Sequence, residues 1–278
     1  MIWLFFSIVL DFGFVQLFKL AQRRGYYAPV VVSANYITVT ISIGLYLIFA
    51  GSPPVPAAAS ITGVVTGLVF ISSMLLMNHM LTVAPVGSVL TAFRLSIVVP
   101  VVLGVWVWDE SMSWTQFGGL VLALFALVLM TGGKNTSTRH TGLQIFGLLA
   151  IVCLWQGVSH TCLRSVHYNG LDAVFLHVLM ITGATAGTIG SMVIIVRKHR
   201  PQKPAIYLGI FIGLYNAVAL AIIMTALSQL PGTLFYPIMG CSVVLLDNLF
   251  AHFYWKERLA RPAIAGVGLA IVSLTLVI

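Results

Sequence analysis

The sequence predicts an all-α integral membrane protein with ten transmembrane helices, arranged as two inverted five-helix repeats. Of the 278 residues, 60% are hydrophobic and only 7% are charged, against about 25% charged in soluble domains. Residues 25–93 carry no charge at all, which suffices for about three spans of ~20 residues each. In addition, glycines and acidic residues recur at a nearly constant spacing between the two halves of the chain.

The same composition excludes several other classes. Fourteen basic and six acidic side chains are too few to cover the surface of a soluble domain of this length. Three cysteines cannot staple a disulfide scaffold. The apolar runs are unbroken, whereas a transmembrane barrel would alternate apolar and polar residues, so helices are the predicted way across the membrane. Residues 1–10 lack the basic start of a cleaved signal and are followed by Asp11, so they read as part of the first span.

Ten apolar segments define the predicted helices. The connections between them are short, and none is long enough for a soluble domain. The predicted spans are residues 2–20, 28–49, 60–82, 86–107, 114–130, 141–166, 171–196, 205–227, 232–255 and 262–278.

An internal duplication is indicated by matched motifs in the two halves. Gly63-x-x-x-Gly67 and Gly209-x-x-x-Gly213 lie 146 residues apart, and Trp108-Asp109-Glu110 and Trp255-Lys256-Glu257 lie 147 apart. Each GxxxG alone indicates close helix packing; the matched positions indicate a repeat. The predicted repeats are residues 1–131 and 141–278. Because five is odd, the second repeat would enter the membrane from the opposite side.

These residues resemble the drug/metabolite transporter superfamily, specifically its EamA-like members. The resemblance covers nearly the whole chain. It rests on the stretch from Trp108-Asp109-Glu110 to Gly119 and on its counterpart from Trp255-Lys256-Glu257 to Gly266, with Ala84-Pro85 and Leu230-Pro231 opening the preceding helices. It implies a secondary transporter that works by alternating access around a central cavity bounded by both repeats.

Glu110 and Glu257 fall at predicted boundaries between membrane and water. A carboxylate there can be hydrated, and a negative charge near a helix N-terminus is favourable by about 0.3–1 kcal/mol. We therefore expect each to cap the helix that follows it, in preference to contacting a substrate.

Three ionisable residues fall inside predicted spans: Asp11 in the first, Arg94 in the fourth and Asp247 in the ninth. Such groups are costly in hydrocarbon and need a partner or a water-filled cavity. A carboxylate isolated in low dielectric holds a proton more readily than one in water, so Asp11 is a candidate for proton coupling. The small multidrug resistance transporters, distant relatives, are similar in having an acidic residue in the first helix. The alternative is a static ion pair of Arg94 with Asp11 or Asp247 that fixes helix packing.

Arg94 could instead hold a carboxylate or phosphate, which would favour an anionic or zwitterionic cargo such as an amino acid. At the 147-residue offset the counterpart of Arg94 is Cys241, so only the first repeat would supply a cation to the binding site.

Further candidates for lining a cavity are polar or aromatic residues within spans, although an isolated Asn or His there more often makes a hydrogen bond between helices. They are Trp155, Gln156, His160 and Tyr236, with Asn78, His79, His177 and Asn216. Trp155-Gln156 stands within a residue of the predicted counterpart of Asp11. Pro100 and Pro237 are expected to kink their helices.

Twelve of the fourteen basic residues lie in or beside the loops that follow predicted helices one, three, five, seven and nine. By the positive-inside rule these loops are cytoplasmic and both termini face outward, whereas the resemblance implies cytoplasmic termini. The opposite side holds only Arg164. The twelve are Lys19, Arg23, Arg24, Lys134, Arg139, Arg197, Lys198, Arg200, Lys203, Lys256, Arg258 and Arg261.

The function predicted first is a proton- or gradient-coupled carrier of a small organic metabolite, amino acid or drug-like compound in the cell (inner) membrane. A sugar-phosphate or nucleotide-sugar exchanger and a lipid flippase are the alternatives on the same fold. No HExxH, GxSxG or P-loop motif occurs, so no enzyme, cofactor or metal is expected. The net charge of +8 is read as an orientation signal with some attraction to anionic lipids, without nucleic acid as a partner. The partners expected are the bilayer and a small-molecule substrate; monomer and homodimer both remain open.

Overall fold

A computed structural model gives the fold of residues 1–51, 54–83, 86–131, 142–254 and 261–277. The described residues form eleven α-helices and one short 3₁₀ helix at Asp172–Val174, with no strand among them. The helices are α1 (Ile2–Arg23), α2 (Ala28–Phe49), α3 (Ala57–Val83), α4 (Val86–Leu95), α5 (Val98–Val107), α6 (Trp114–Thr131), α7 (Gly142–Tyr168), α8 (Phe175–Val196), α9 (Lys203–Gln229), α10 (Gly232–Phe253) and α11 (Arg261–Val277).

The described helices confirm the prediction of an all-helical membrane protein. Seven of them are long and apolar enough to cross a bilayer, since about 20 residues suffice for a span. Three shorter apolar helical stretches, Ala92–Val107, Trp114–Leu129 and Ile264–Val277, accompany them. The chain is therefore a multi-pass membrane protein.

The fourth predicted helix is not continuous. It is divided into α4 and α5 by a turn at Ser96 and Ile97, where the sequence predicted one span over 86–107. Pro100, in the first turn of α5, has no N–H to continue the helical ladder, which accounts for the break. The predicted kink is thus an interruption of two residues here, at which Ile97 keeps a helical backbone conformation, whereas Pro237 lies inside an uninterrupted α10.

Four of the described helices end in a residue with a positive φ. At the ends of α1, α2 and α7, a glycine takes a positive φ: Gly25, Gly51 and Gly170. At the end of α8 the equivalent residue is Lys198, with φ 50°; its N–H donates to the Ile195 carbonyl at 2.9 Å and the next N–H donates to the Ile194 carbonyl at 3.2 Å. This is the Schellman arrangement, in which glycine is the favoured residue.

The chain divides into two compact units. The first unit comprises Met1–Leu75 and Cys162–Ser228, and the second comprises Leu76–Thr161 and Gln229–Ile278. Each unit takes helices from both halves of the sequence, so neither coincides with the predicted repeats 1–131 and 141–278. That division of the sequence stays a prediction.

In the first unit, small residues allow helices to approach closely. A Cβ added at Gly63 of α3 would lie 2.7 Å from the Ile181 Cβ and 3.0 Å from the Val178 carbonyl oxygen of α8. A Cβ at Gly209 of α9 would lie 2.6 Å from the Ala34 Cβ and 2.9 Å from the Val31 carbonyl oxygen of α2. The two GxxxG motifs are therefore packing surfaces, as expected for such motifs.

These contacts repeat along the sequence with the spacing of the helices. The bounds of α2 and α8 differ by 147 residues at both ends, and those of α3 and α9 differ by 146 at both ends. Ile181 and Ala34, which lie against the two glycines, are themselves 147 apart. The contact of α3 with α8 thus has a counterpart in the contact of α9 with α2, and each of these pairs takes one helix from each half of the chain.

In the second unit, α6 packs along α11 through Gly119. A Cβ at this position would lie 2.7 Å from Val277 Cγ2 and 3.1 Å from the Ser273 carbonyl oxygen. Cys241 of α10 is buried beside the same pair, with its sulfur 3.6 Å from the Ser273 hydroxyl. Cys241 thus fills a small apolar space between these helices, as buried free cysteines commonly do.

Candidate functional site

An ion pair joins two helices of the second unit inside otherwise apolar sequence. The Arg94 Nη2 of α4 donates to Asp247 Oδ2 of α10 at 3.0 Å. The two side chains keep 19% and 22% of their surface accessible, so neither charge is fully buried. The sequence left two possibilities for Arg94, an ion pair with a carboxylate of the chain or a bond to a substrate anion. The structure contains the ion pair, with Asp247 as the partner.

The position of Arg94 follows from the break between α4 and α5. Arg94 lies in the last turn of α4, where the negative end of the helix dipole favours a cation. The Ser96 hydroxyl donates to the Phe93 carbonyl at 2.6 Å, so one carbonyl released by the break is satisfied locally. A charged residue beside an interrupted helix is the arrangement that many transporters use for binding ions and substrates within the membrane.

Helix α7 approaches this break closely because it carries glycine there. A Cβ at Gly157 would collide with Val99 and would lie 2.9 Å from the Ser96 carbonyl oxygen. The close approach places Gln156 and His160 on α7 near the helix break. Arg94 is near enough to His160 to act on it electrostatically.

His160 connects the remaining polar residues of this group. Its Nε2 lies 3.3 Å from the Gln156 Nε2, which can donate to it. The Tyr236 hydroxyl of α10 donates to the His160 carbonyl at 2.9 Å, and the two rings are 5.7 Å apart. We call Arg94, Asp247, Gln156, His160 and Tyr236 the polar cluster. It combines one cation, one carboxylate, an amide, an imidazole and a phenol in one unit.

The other two predicted site residues are Trp155 and Asp11. Trp155 precedes Gln156 on α7 and is 40% exposed. Asp11 belongs to the first unit, on α1, where Tyr215 of α9 is near enough to interact with it electrostatically. The Tyr215 hydroxyl also packs against Gly13, two residues along α1 from Asp11.

Asn216 has the structural role that was expected of most isolated polar residues in spans. Its side-chain amide donates to Asn35 Oδ1 at 3.2 Å, between α9 and α2, and both residues are buried. His177, another predicted candidate, is buried in α8.

Two polar contacts were not predicted from the sequence. Glu110 is 8% exposed, and its Oε2 accepts the backbone N–H of Thr233 at 2.8 Å. The expectation that Glu110 caps the following helix, α6, is therefore wrong: it caps the N-terminus of α10. Glu257, its predicted counterpart, lies outside the described residues.

The second such contact involves Arg164, which lies near the end of the predicted span 141–166 and was assigned to the side of the membrane opposite to the other basic residues. Arg164 is 2% exposed, and its Nη1 donates to the Leu227 carbonyl in the last turns of α9. Its guanidinium also lies 4.8 Å from the centre of the Tyr168 ring. The spacing of Arg164 and Tyr168, four residues apart on one helix, is the signal in the sequence that could have indicated this pair.

Among the described residues, no group of three or more His, Cys, Asp or Glu side chains could hold a metal ion. The cysteines Cys153, Cys162 and Cys241 are free thiols within helices.

Known proteins share the fold of this chain. No family model matches the chain. A protein of Haemophilus influenzae named "Uncharacterized protein" is 21% identical to this chain, in an alignment that covers 93% of this chain and 91% of that protein. A solved structure described as "Crystal structure of protein" aligns over 99% of this chain and 94% of the other, with a TM-score of 0.78 and 13% identity. The chain therefore shares its fold with that structure.

Proposed function

We propose that this protein is a secondary active transporter that moves a small organic metabolite, amino acid or drug-like compound across the cell (inner) membrane by alternating access. The observation that carries the proposal is the Arg94–Asp247 pair, which lies within apolar helices and is still partly accessible. Charged groups inside a membrane are expensive, and they occur where ions or substrates are handled.

The chemistry of the polar cluster favours a zwitterionic cargo. A substrate carboxylate can take the place of Asp247 on the Arg94 guanidinium, and a substrate ammonium can take the place of Arg94 on the Asp247 carboxylate. Such an exchange preserves the number of charge-assisted bonds, so opening the pair costs little. A phosphorylated cargo would require several cations, and Arg94 is already paired with a carboxylate. This disfavours the sugar-phosphate and nucleotide-sugar alternatives.

The proposed architecture is a pair of inverted five-helix repeats. Its support is the matched bounds of α2 with α8 and of α3 with α9, together with the matched glycine contacts made by Gly63 and Gly209. Inverted repeats allow a transporter to exchange the conformations of its two halves and so to open alternately to either side.

Counterflow in proteoliposomes tests the transport proposal. We expect zwitterionic amino acids on one side to drive accumulation of labelled substrate from the other. The Arg94→Gln protein should transport at least tenfold more slowly, because loss of a charged hydrogen bond is worth about 1.5–3 kcal/mol. Asp109→Asn, a change at an exposed carboxylate, is the control and should transport normally. Absence of counterflow for every amino acid, metabolite and drug-like compound tried would refute the proposal.

Proton coupling is assigned to Asp11, the carboxylate within α1. We expect Asp11→Asn to be produced and folded but to lose uptake or efflux driven by a pH gradient, since an amide cannot exchange a proton. Counterflow at equal pH should continue in this variant, because exchange needs no net proton movement. A variant that still responds fully to the pH gradient would contradict the assignment of Asp11.

A further inference from the structure

Two turns of the first unit meet at one end of their helices. The ring of Tyr27, at the start of α2, lies 4.1 Å from the ring of His199, which follows α8. Beneath this contact the buried side chains of Ala21, Val30 and Ala205 belong to one apolar cluster. Residues 23–27 and 197–203 therefore form one continuous surface, which we call the double turn.

The double turn is strongly basic. Six cationic side chains are exposed on it, three of them within a span of four residues. The acidic residues of the first unit are Asp11 and Asp172. Asp172 precedes the opposite end of α8, whose 22 residues rise about 33 Å, and Asp11 lies about 18 Å back along α1. Within the described residues of the first unit, the carboxylates of Asp11 and Asp172 thus lie well away along the helices from this positively charged surface. The six are Arg23, Arg24, Arg197, Lys198, Arg200 and Lys203.

Exposed apolar side chains adjoin this basic surface on its helix side. Val196 is 79% exposed and Ile195 73% exposed in the last turn of α8, and Tyr207 is 68% exposed in the first turns of α9. In a multi-pass protein such side chains face acyl chains, and tyrosine prefers the depth of the headgroups. The cations therefore begin where the apolar surface ends, which is the depth of lipid phosphate.

Lys198 occupies a backbone position that suits glycine better. Its φ of 50° lies in the left-handed region, which is unfavourable for residues with a Cβ. The equivalent residue 147 positions earlier, at the end of α2, is Gly51, and glycine also ends α1 and α7. Orientation in the membrane depends on the number of basic residues near a span and would not require a lysine at this strained position. Strain retained in this way points to a role for the side chain.

We propose that the double turn binds the phosphodiester headgroup of an anionic phospholipid. The guanidinium groups of Arg197 and Arg200 and the ammonium of Lys198 would bind the phosphate, and the acyl chains would lie on Ile195 and Val196. Recognition of this kind depends on charge and on membrane depth together. This site is independent of the transport function proposed above.

Titration of lipid into the purified protein in a non-ionic detergent tests the site. We expect phosphatidylglycerol to raise the melting temperature and to remain bound in native mass spectrometry, whereas phosphatidylcholine does neither. Binding should weaken as salt is added. Equal binding of the two lipids would overturn the proposal. A rise of the same size with soluble glycerol phosphate would also overturn it, because the site would then serve a soluble anion.

Substitutions in two basic segments show which cations bind phosphatidylglycerol. Arg197→Gln with Arg200→Gln should weaken phosphatidylglycerol binding about 25-fold, at roughly five-fold for each charge removed. Lys134→Gln with Arg139→Gln removes the same charge from another part of the sequence and should weaken binding less than threefold. Unchanged affinity in the first pair, or an equal loss in the second, would refute the site.

Lys198→Gly separates lipid binding from folding. Glycine relieves the left-handed backbone, so the lipid-free protein should melt at a higher temperature than wild type. Its affinity for phosphatidylglycerol should nevertheless fall about five-fold. A variant that binds this lipid as tightly as wild type would show that Lys198 has no part in the site.

Discussion

Glu110 shows how a single buried carboxylate can join distant parts of the sequence. Its side chain accepts the Thr233 N–H at the start of α10, although 123 residues separate the two. The first N–H groups of a helix have no partner within the helix, so an external acceptor is needed where the helix end is buried. Pro231 cannot supply one by side-chain capping, since its ring has no acceptor.

Replacing Glu110 with Ala should destabilise the protein by about 1–2 kcal/mol, because the Thr233 N–H would be left buried without this acceptor. Glu110→Gln retains an acceptor and should lose less. The measurement is the melting temperature of the purified protein in detergent. Asp109→Asn is the matched control, since Asp109 is exposed and asparagine tolerates its positive φ. If Glu110→Ala melts with the control, the cap contributes nothing to stability.

The residues inside the spans were the most predictable part of the site. Hydropathy alone identified Arg94 and Asp247 as charged groups within helices, and the cost of such groups predicted a partner for Arg94. The identity of the partner depends on how α4 and α10 are packed, which the sequence pattern does not specify. For the same reason, Glu110 was correctly predicted to be a cap but was assigned to the wrong helix.

At the scale of elements, prediction succeeded for helices and failed at their interruptions. Long apolar runs specify spans because every backbone polar group must be satisfied within the segment. The break at Ser96 and Ile97 depends on local compensation, such as the Ser96 hydroxyl on the Phe93 carbonyl. Pro237 has the same covalent structure as Pro100 and leaves α10 continuous, so a proline in a span predicts a weak point without determining its outcome.

The packing of α6 on α11 offers a matched pair of adjacent glycines. Gly119→Ala should destabilise the protein by about 1–3 kcal/mol, because the new methyl group would overlap Val277 and approach the Ser273 carbonyl. Gly118→Ala meets nothing within 4 Å and should be neutral, or stabilising by about 0.5–1 kcal/mol through helix propensity. Thermal unfolding in detergent distinguishes the two. Equal melting temperatures would mean that α6 and α11 can separate without cost.

At the scale of the whole molecule, the compact units do not follow the sequence halves. The first unit contains α2 and α8, which are counterparts at an offset of 147 residues, and the second contains α6 and α11. Hydropathy and motif spacing can indicate a duplication, but they cannot show which copies of a helix pack together. That choice depends on small residues such as Gly63 and Gly209, whose partners lie in the other half of the chain.

The distribution of basic residues predicts how the whole molecule sits in the membrane. Arg200 lies in the exposed turn after α8, and Asn169 lies in the exposed turn at the other end of that helix region, after α7. The positive-inside rule places the basic turn in the cytoplasm. A cysteine at position 200 should therefore react with a membrane-impermeant maleimide only in permeabilised cells, and a cysteine at position 169 should react in intact cells. Cys153, Cys162 and Cys241 are first replaced by Ala, so that each protein carries one thiol. If position 200 were labelled in intact cells and position 169 were protected, the predicted orientation would be wrong, and both termini would face the cytoplasm.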